Sequence, residues 1–242
     1  TVYTRAAASD YDDWETVHGN PGWGSEHLIP LLKKAETYQP QGDLSTHGTQ
    51  GPIKVSYTPQ IPNVASQFLE VASEYDKERG FAEDLQGFYS CNVYGRWPRY
   101  IDGITGKRSD VPHHYVYNQI NHTKLTILER RRVVRVIFEN LRAVGVEHIS
   151  DFRRHSKDNQ EQTISYASKL IIVSAGAFGS PAILERSGIG GSDILNRNNI
   201  SQIVDLPGVG ENYMDHIALF VPYVASKDAE TMDPIFRGSE AE

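Results

Sequence analysis

The stretch "KLIIVSAGAFGSPAILERSGIG", residues 169–190, restricts the possible folds of this chain more than any other segment. Its first seven residues form a nearly unbroken apolar run, the pattern of a strand covered on both faces in a parallel sheet. Its second half reads as a short helix over residues 181–187. Ser180 is placed to accept a hydrogen bond from a free first-turn amide, Pro181 has its φ preset for the first helical position, and Gly188 can take the left-handed conformation that ends a helix. Between strand and helix, Gly176, Ala177 and Gly179 leave the main chain almost bare. A bare junction lets the two elements pack closely, or it lets a bulky ligand reach the backbone. The residues alone allow both.

The remaining segments divide into a helical and looped first half and a strand-rich second half, changing near residue 120. "SDYDDWETV" (9–17) reads as a capped helix stopped by the turn-forming "HGNPGWG", and "SEHLIPLLKKAETY" as a helix with a Ser cap, kinked or started at Pro30. "IKVSY" (53–57) alternates like a half-buried strand. Residues 63–80 place Val64, Phe68, Leu69, Val71 and Ala72 on one helical face and close on Gly80. Residues 81–118 are aromatic and turn-rich without a helical period, and their rings either pack or line a cavity. From 124 onward come short β runs: "KLTIL", "RVVRVIF", "RAVGVEHI", "TISYA" and "KLIIVSA", with "FENLRAVGV" as a hairpin. A brief strand follows in "IVDLPGVGENYMDH", and another starts in "IALFVPYVAS".

Several chemistries are excluded. With a formal net charge of −7 and one basic cluster, "ERRRVVR", whose alternation with valines suits a strand edge, the chain offers no nucleic-acid surface. A single cysteine, Cys91, cannot form an internal disulfide and is compatible with a reducing compartment. No apolar run approaches the roughly 20 residues of a membrane span. "IVSAG" lacks the first glycine of a catalytic-serine elbow, and no Walker loop, HExxH helix or GxGxxG fingerprint occurs. The adjacent His113 and His114 point apart in a strand, so joint metal ligation is not expected. Asp215 and His216, as sequence neighbours, are expected to be structural.

Taken together these residues resemble the glucose-methanol-choline (GMC) family of FAD-dependent oxidoreductases. "GAFGSPAILERSGIG" is similar to that family's second signature, with Gly176, Ala177, Ser180, Pro181, Ile183, Leu184, Ser187, Gly188, Ile189 and Gly190 at its fixed positions. "DLPGVGENYMDH" resembles the segment after the signature, "LTILERRRVVRVIFENLRAVGVE" the adenine-side β meander, and "YTRAAASDYDDW" the tail of the first signature. Together with "LIPLLKKAETY", "HGTQGPIKVSY" and "TGKRSD", the opening looks most like the fungal and yeast alcohol (methanol) oxidase branch.

The resemblance implies a mixed α+β or α/β architecture, part of a Rossmann-like FAD-binding domain interleaved with part of a substrate domain. It implies a flavin-lid segment at 1–18, substrate-domain residues at 19–120, FAD-domain residues at 121–218 and the start of a second substrate segment at 219–242. The implied cofactor is FAD. Val133 falls where a main-chain amide and carbonyl contact adenine, Thr1 and Val2 along the isoalloxazine, and Ala175 and Gly176 where a strand end approaches the cofactor. No residue matches the family's catalytic His, so the chain is read as an internal fragment of a larger enzyme. That enzyme is expected to oxidise short primary alcohols with dioxygen, releasing hydrogen peroxide, as an intracellular homo-oligomer without nucleic-acid or membrane partners. The alternatives are another GMC activity, aryl-alcohol oxidase or choline-type dehydrogenase, and a non-catalytic chain that keeps the fold. Leu141 stands at a hairpin position where the family usually has Gly, Ala6 replaces a Gly, and Arg130 and Arg131 replace smaller residues.

Overall fold

The acidic residues of the first helix explain how the chain begins to fold. In the computed structural model, which describes residues 2–58, 61–119, 121, 124–150, 162–219 and 221–230, α1 spans Ala8–Thr16 and α2 spans Ser25–Ala35. Ser25 is not the cap of α2. The cap position is Gly24, and carboxylates of α1 take over the role: Glu15 accepts the amides of Gly22 and Gly24 at 3.1 and 2.9 Å, and Asp12 accepts that of Ser25 at 2.9 Å. α2 runs through Pro30 without starting there, and its last expected turn gives way to a strand, β1 (Glu36–Tyr38). β1 pairs in parallel with β2 (Ile53–Val55).

These elements belong to the first of two units, Thr1–Leu125 with Pro222–Glu242. Its core has two parts: Tyr3, Tyr38, Ile53 and Val55 with Tyr100 against them, and Ala8, Tyr11 and Phe88 with Ala6, Leu28, Ile29 and Leu32. α3 (Asn63–Tyr75) departs from expectation twice. It ends five residues before Gly80, where the Asp76 carboxylate accepts Tyr94 Oη at 3.0 Å and the Arg79 amide at 3.2 Å, replacing another helical turn. Its apolar stripe is also not buried: Val64, Phe68 and Val71 are exposed and only Ala72 is covered. Val64 and Phe68 instead form one wall of an apolar groove of about 750 Å³ opposite Trp97. Residues 81–111 are loops, followed by a π-helical turn, Pro112–Val116, and a 3₁₀ turn, Tyr117–Gln119. His113 and His114 thus sit in a helical turn, not a strand. They face different partners, Asp110 at 2.5 Å and Ser109 at 2.9 Å, and no metal-ligating cluster exists among the described residues.

The second unit, Thr126–Val221, is built on an antiparallel meander of β3 (Arg131–Glu139), β4 (Arg142–Ser150) and β5 (Thr163–Tyr166). The basic cluster lies on β3, an edge strand, as its alternation predicts. Asn140 and Leu141 turn the β3–β4 hairpin with φ of 48° and 65°, the paired positive values of a type I′ turn, so Leu141 occupies a conformation that suits glycine. α4 (Gly176–Arg186) packs on β3. Then β6 (Ile189–Gly190), α5 (Ser192–Arg197) and β7 (Val204–Asp205) follow, β6 pairing in parallel with β7. Gly188 stops α4 as expected: its φ is +84°, and a Cβ there would lie 2.5 Å from the Ser201 carbonyl oxygen.

Three expected strands are missing among the described residues. "KLTIL", "KLIIVSA" and "IALFVPYVAS" have no ladder partners, and Leu170 and Ile172 are 73% and 76% exposed. The apolar run records a burial that only flanking strands can provide, and the described residues supply none.

Candidate functional site

α4 begins five residues earlier than Ser180 and Pro181 suggest. Gly176, at φ +84°, opens the helix, and Ser180 lies within it, its Oγ accepting the Ala175 amide at 2.9 Å. Pro181 sits inside the helix rather than at its first position. The bare turn is therefore residues 175–176. It faces open space: a Cβ built on Gly176 meets nothing within 4 Å.

α4 is tied to the meander by polar bonds as well as packing. The Ser187 Oγ accepts the Val136 amide at 2.8 Å and donates to the Ile183 carbonyl at 2.6 Å, and Arg186 Nε donates to the Val134 carbonyl at 2.7 Å. The ladder slips register between Val133 and Arg135, where a bulge turns the Val134 carbonyl toward Arg186. Between meander, helix and the extended segment lies a cleft of about 230 Å³, lined by Val133, Val136, Val146, Ile183 and residues 171–175. It brings Val133 and Ala175 together, with Gly176 next in the chain.

Of the other expected cofactor contacts, Val2 lies in the first unit, half exposed and bridged to Arg99, and Thr1 lies outside the described residues. Sequence reasoning passed over His148. It pairs with Val133 across the β3–β4 ladder and shares the face of Val146. It is 4% exposed, its Nε2 contacts Ser165 Oγ at 2.9 Å, and its Nδ1 has no hydrogen-bond partner among the described residues. An unmatched buried polar atom costs about 1–3 kcal/mol, so this nitrogen calls for a further partner.

FAD fits these residues. A cleft of about 230 Å³ is below the ~300–1,000 Å³ typical of pockets that enclose a whole ligand, so it would take one end of an extended dinucleotide. Its walls are valines and isoleucines suited to a flat ring, and the orphaned His148 nitrogen lies on the same face of the sheet.

The first unit contains a buried, closely coupled polar cluster. Arg5 Nη1 donates to Glu36 Oε1 at 3.0 Å and to the Thr46 carbonyl at 2.9 Å, and Tyr3 Oη donates to Glu36 Oε2. His47 lies between two carboxylates, Nδ1 2.9 Å from Glu36 Oε1 and Nε2 2.9 Å from Asp84 Oδ2. The side chains of Arg5, Glu36 and His47 are 2%, 1% and 0% exposed, that of Asp84 30%. Burial alone would raise the Glu36 pKa, but hydrogen bonds from His47 and Tyr3 and the charge of Arg5 hold it below the ordinary value. Burial also drives the Tyr3 phenol upward, reinforced by its bond to Glu36. No local motif marks this cluster, whose members lie up to 81 residues apart.

The second unit joins an antiparallel meander to a helix across this apolar cleft, an α+β arrangement that resembles part of a cofactor-binding domain. Residues 1–218 match the family model described as GMC oxidoreductase, and the chain belongs to that family. It is 38% identical over 98% of its length to the alcohol oxidase of Pichia angusta, and 33% identical over 96% to the oxygen-dependent choline dehydrogenase of Pectobacterium atrosepticum. An FAD-dependent oxidoreductase structure from Chaetomium thermophilum superposes with a TM-score of 0.74, at 30% identity, over 86% of this chain and 36% of that one. The chain spans 35% and 39% of the two curated relatives. No helix among the described residues is long and apolar enough to cross a membrane.

Proposed function

We propose that this chain is part of an FAD-dependent oxidase that converts short primary alcohols to aldehydes, RCH₂OH + O₂ → RCHO + H₂O₂. The similarity to the Pichia angusta alcohol oxidase over nearly the whole chain carries this reading, and the cleft that joins Val133 to Ala175 supports it. The cofactor would accept the hydride from the alcohol carbon and pass the electron pair to oxygen.

The chain's own residues hold and position. The Val133 main chain would contact the adenine, Ala175 and Gly176 would let the strand end approach the dinucleotide without a side chain between, and Thr1 and Val2 would run along the isoalloxazine. Segments 1–18 and 121–218 would form the cofactor side, and 19–120 with 219–242 the substrate side. The aromatic residues between 86 and 117 would help exclude water there. The whole protein is expected to be a homo-oligomer.

Purification of the full-length parent tests this: a flavin absorption spectrum and peroxide release on adding methanol or ethanol are expected, and a colourless protein without oxidase activity overturns the reading. The Pectobacterium relative supports a second reading, a choline-type dehydrogenase, distinguished by turnover with choline and an artificial electron acceptor.

A further inference from the structure

The two carboxylates that flank His47 favour its doubly protonated ring, and Arg5, a donor within reach of both ring nitrogens, opposes it. A neutral imidazole carries a single N–H, yet each ring nitrogen lies 2.9 Å from a carboxylate oxygen, of Glu36 on one side and Asp84 on the other. In either neutral tautomer a lone pair would face a carboxylate at that distance. The doubly protonated ring donates to both. It also balances the charge, since Arg5 and His47 then match Glu36 and Asp84 in a region closed to water at three of the four.

Among the described residues, four segments surround the ring. β1 contributes Glu36 and also Tyr38, whose ring stacks on the imidazole at 3.6 Å between centroids and 14° between planes, a contact that favours a cation. The N-terminal segment contributes Arg5, whose Nη2 lies 3.1 and 3.2 Å from the two ring nitrogens and opposes the charge, and Tyr3, which reaches the ring only through Glu36. Loop 39–48 contributes Asp43, and the loop before Gln86 contributes Asp84. Asp84 is the one member that opens outward, onto a groove of about 520 Å³ lined by Tyr38, Tyr57, Phe81, Asp84 and Arg96.

We propose that His47 is a proton-operated clasp: as an imidazolium it ties β1 to the Asp84 loop, and on losing one proton it frees the Asp84 Oδ2 toward the groove. Release falls on the Asp84 side because its Oδ2 is held by His47 and lies within reach of water, while Oδ1 stays bonded to the Gln86 amide at 2.7 Å and Tyr38 Oη at 3.2 Å; Glu36 is enclosed and held by Tyr3, Arg5 and the Gly48 amide. Freed Asp84 then presents an acceptor oxygen beside Tyr38 and Tyr57 to any groove occupant carrying an N–H or O–H donor. The direction of the His47 pKa agrees: burial lowers it, but the bonds to Asp84 and Glu36 outweigh burial and Arg5 and leave it above 6.5.

The test is a histidine-ring NMR titration of the 242-residue chain, with His47 assigned by comparison with His47→Gln, and a parallel titration of Asp84→Asn. The expected result is a His47 midpoint above 6.5 that falls toward or below 6.5 in Asp84→Asn, together with line broadening of the Asp84-loop amides over the same pH range in wild type only. A wild-type midpoint at or below 6.5, or one unmoved by Asp84→Asn, overturns the proposal. Should His47→Gln not fold, the His47 signal is assigned from its contact with the stacked Tyr38 ring, and the Asp84→Asn comparison decides, because that side chain is partly exposed. None of these readouts involves a flavin, so their outcome is separate from the oxidase reading.

Discussion

Ser187 Oγ lies 2.8 Å from the buried Val136 amide of β3 and 2.6 Å from the Ile183 carbonyl, so one hydroxyl joins the end of α4 to the meander. That bond sets the separation of the two elements between which the cleft lies. Ser187→Ala would leave a buried N–H unmatched, at a cost of about 1–3 kcal/mol. Urea denaturation of the variant is expected to show a loss in this range. A change below about 0.5 kcal/mol would mean that packing alone docks the helix.

Leu141 adopts φ 65° and is 75% exposed, so its side chain pays little back for the strained turn. Leu141→Gly is expected to stabilise the hairpin by up to about 1 kcal/mol, the left-handed penalty less the extra chain entropy of glycine. Thermal unfolding checks this, and a lowered midpoint contradicts it.

Glu36→Gln would leave Arg5 and His47 facing a neutral amide in an enclosed site. Removing one partner of a buried ion pair costs about 3–5 kcal/mol, so this variant is expected to be among the most destabilised single changes in the first unit. Equal stability with wild type, measured by chemical denaturation, would contradict the account of the cluster.

Stability should fall at both ends of the pH scale. Glu36 and Asp84 have depressed pKa values, so their contribution is present above their ordinary values of 4.5 and 3.8 and is lost as pH falls through the lowered ones. His47 has a raised value, so its contribution is complete below 6.5 and is lost as pH rises through the raised one. Denaturation midpoints across pH are expected to peak between these limits, and His47→Gln is expected to flatten the alkaline side alone. A flat wild-type profile from pH 4 to 9 would contradict this sign.

The parts legible in the sequence are those fixed by near neighbours. The alternation of arginine and valine, with a reversal at Asn140 and Leu141, announces the β3–β4 hairpin, and Gly188 announces the end of α4. The start of α4 departs from the sequence expectation because Ser180 and Pro181 have the chemistry of a helix start, whereas the Gly176 backbone, at a positive φ, opens the helix a turn sooner. "KLIIVSA" departs for a different reason: residue type reports how buried a segment is meant to be, not which strand lies beside it. The charge cluster left no local trace, since Arg5, Glu36, His47 and Asp84 meet only through the tertiary fold. His148 carries no sequence signal, because a strand histidine is unremarkable until its second nitrogen lacks a partner among the described residues.

The central claim is that the cleft beside the bare turn receives one end of a flavin dinucleotide. It is tested most directly by the flavin content of the purified full-length parent and of its Ala175→Phe variant, whose ring would fill the space between Val133 and residues 171–175. Wild type is expected to carry bound FAD, and the variant, with unchanged far-ultraviolet circular dichroism, to bind it at least about tenfold more weakly. A parent that binds no FAD, or a folded variant that retains it with undiminished affinity, would contradict the account.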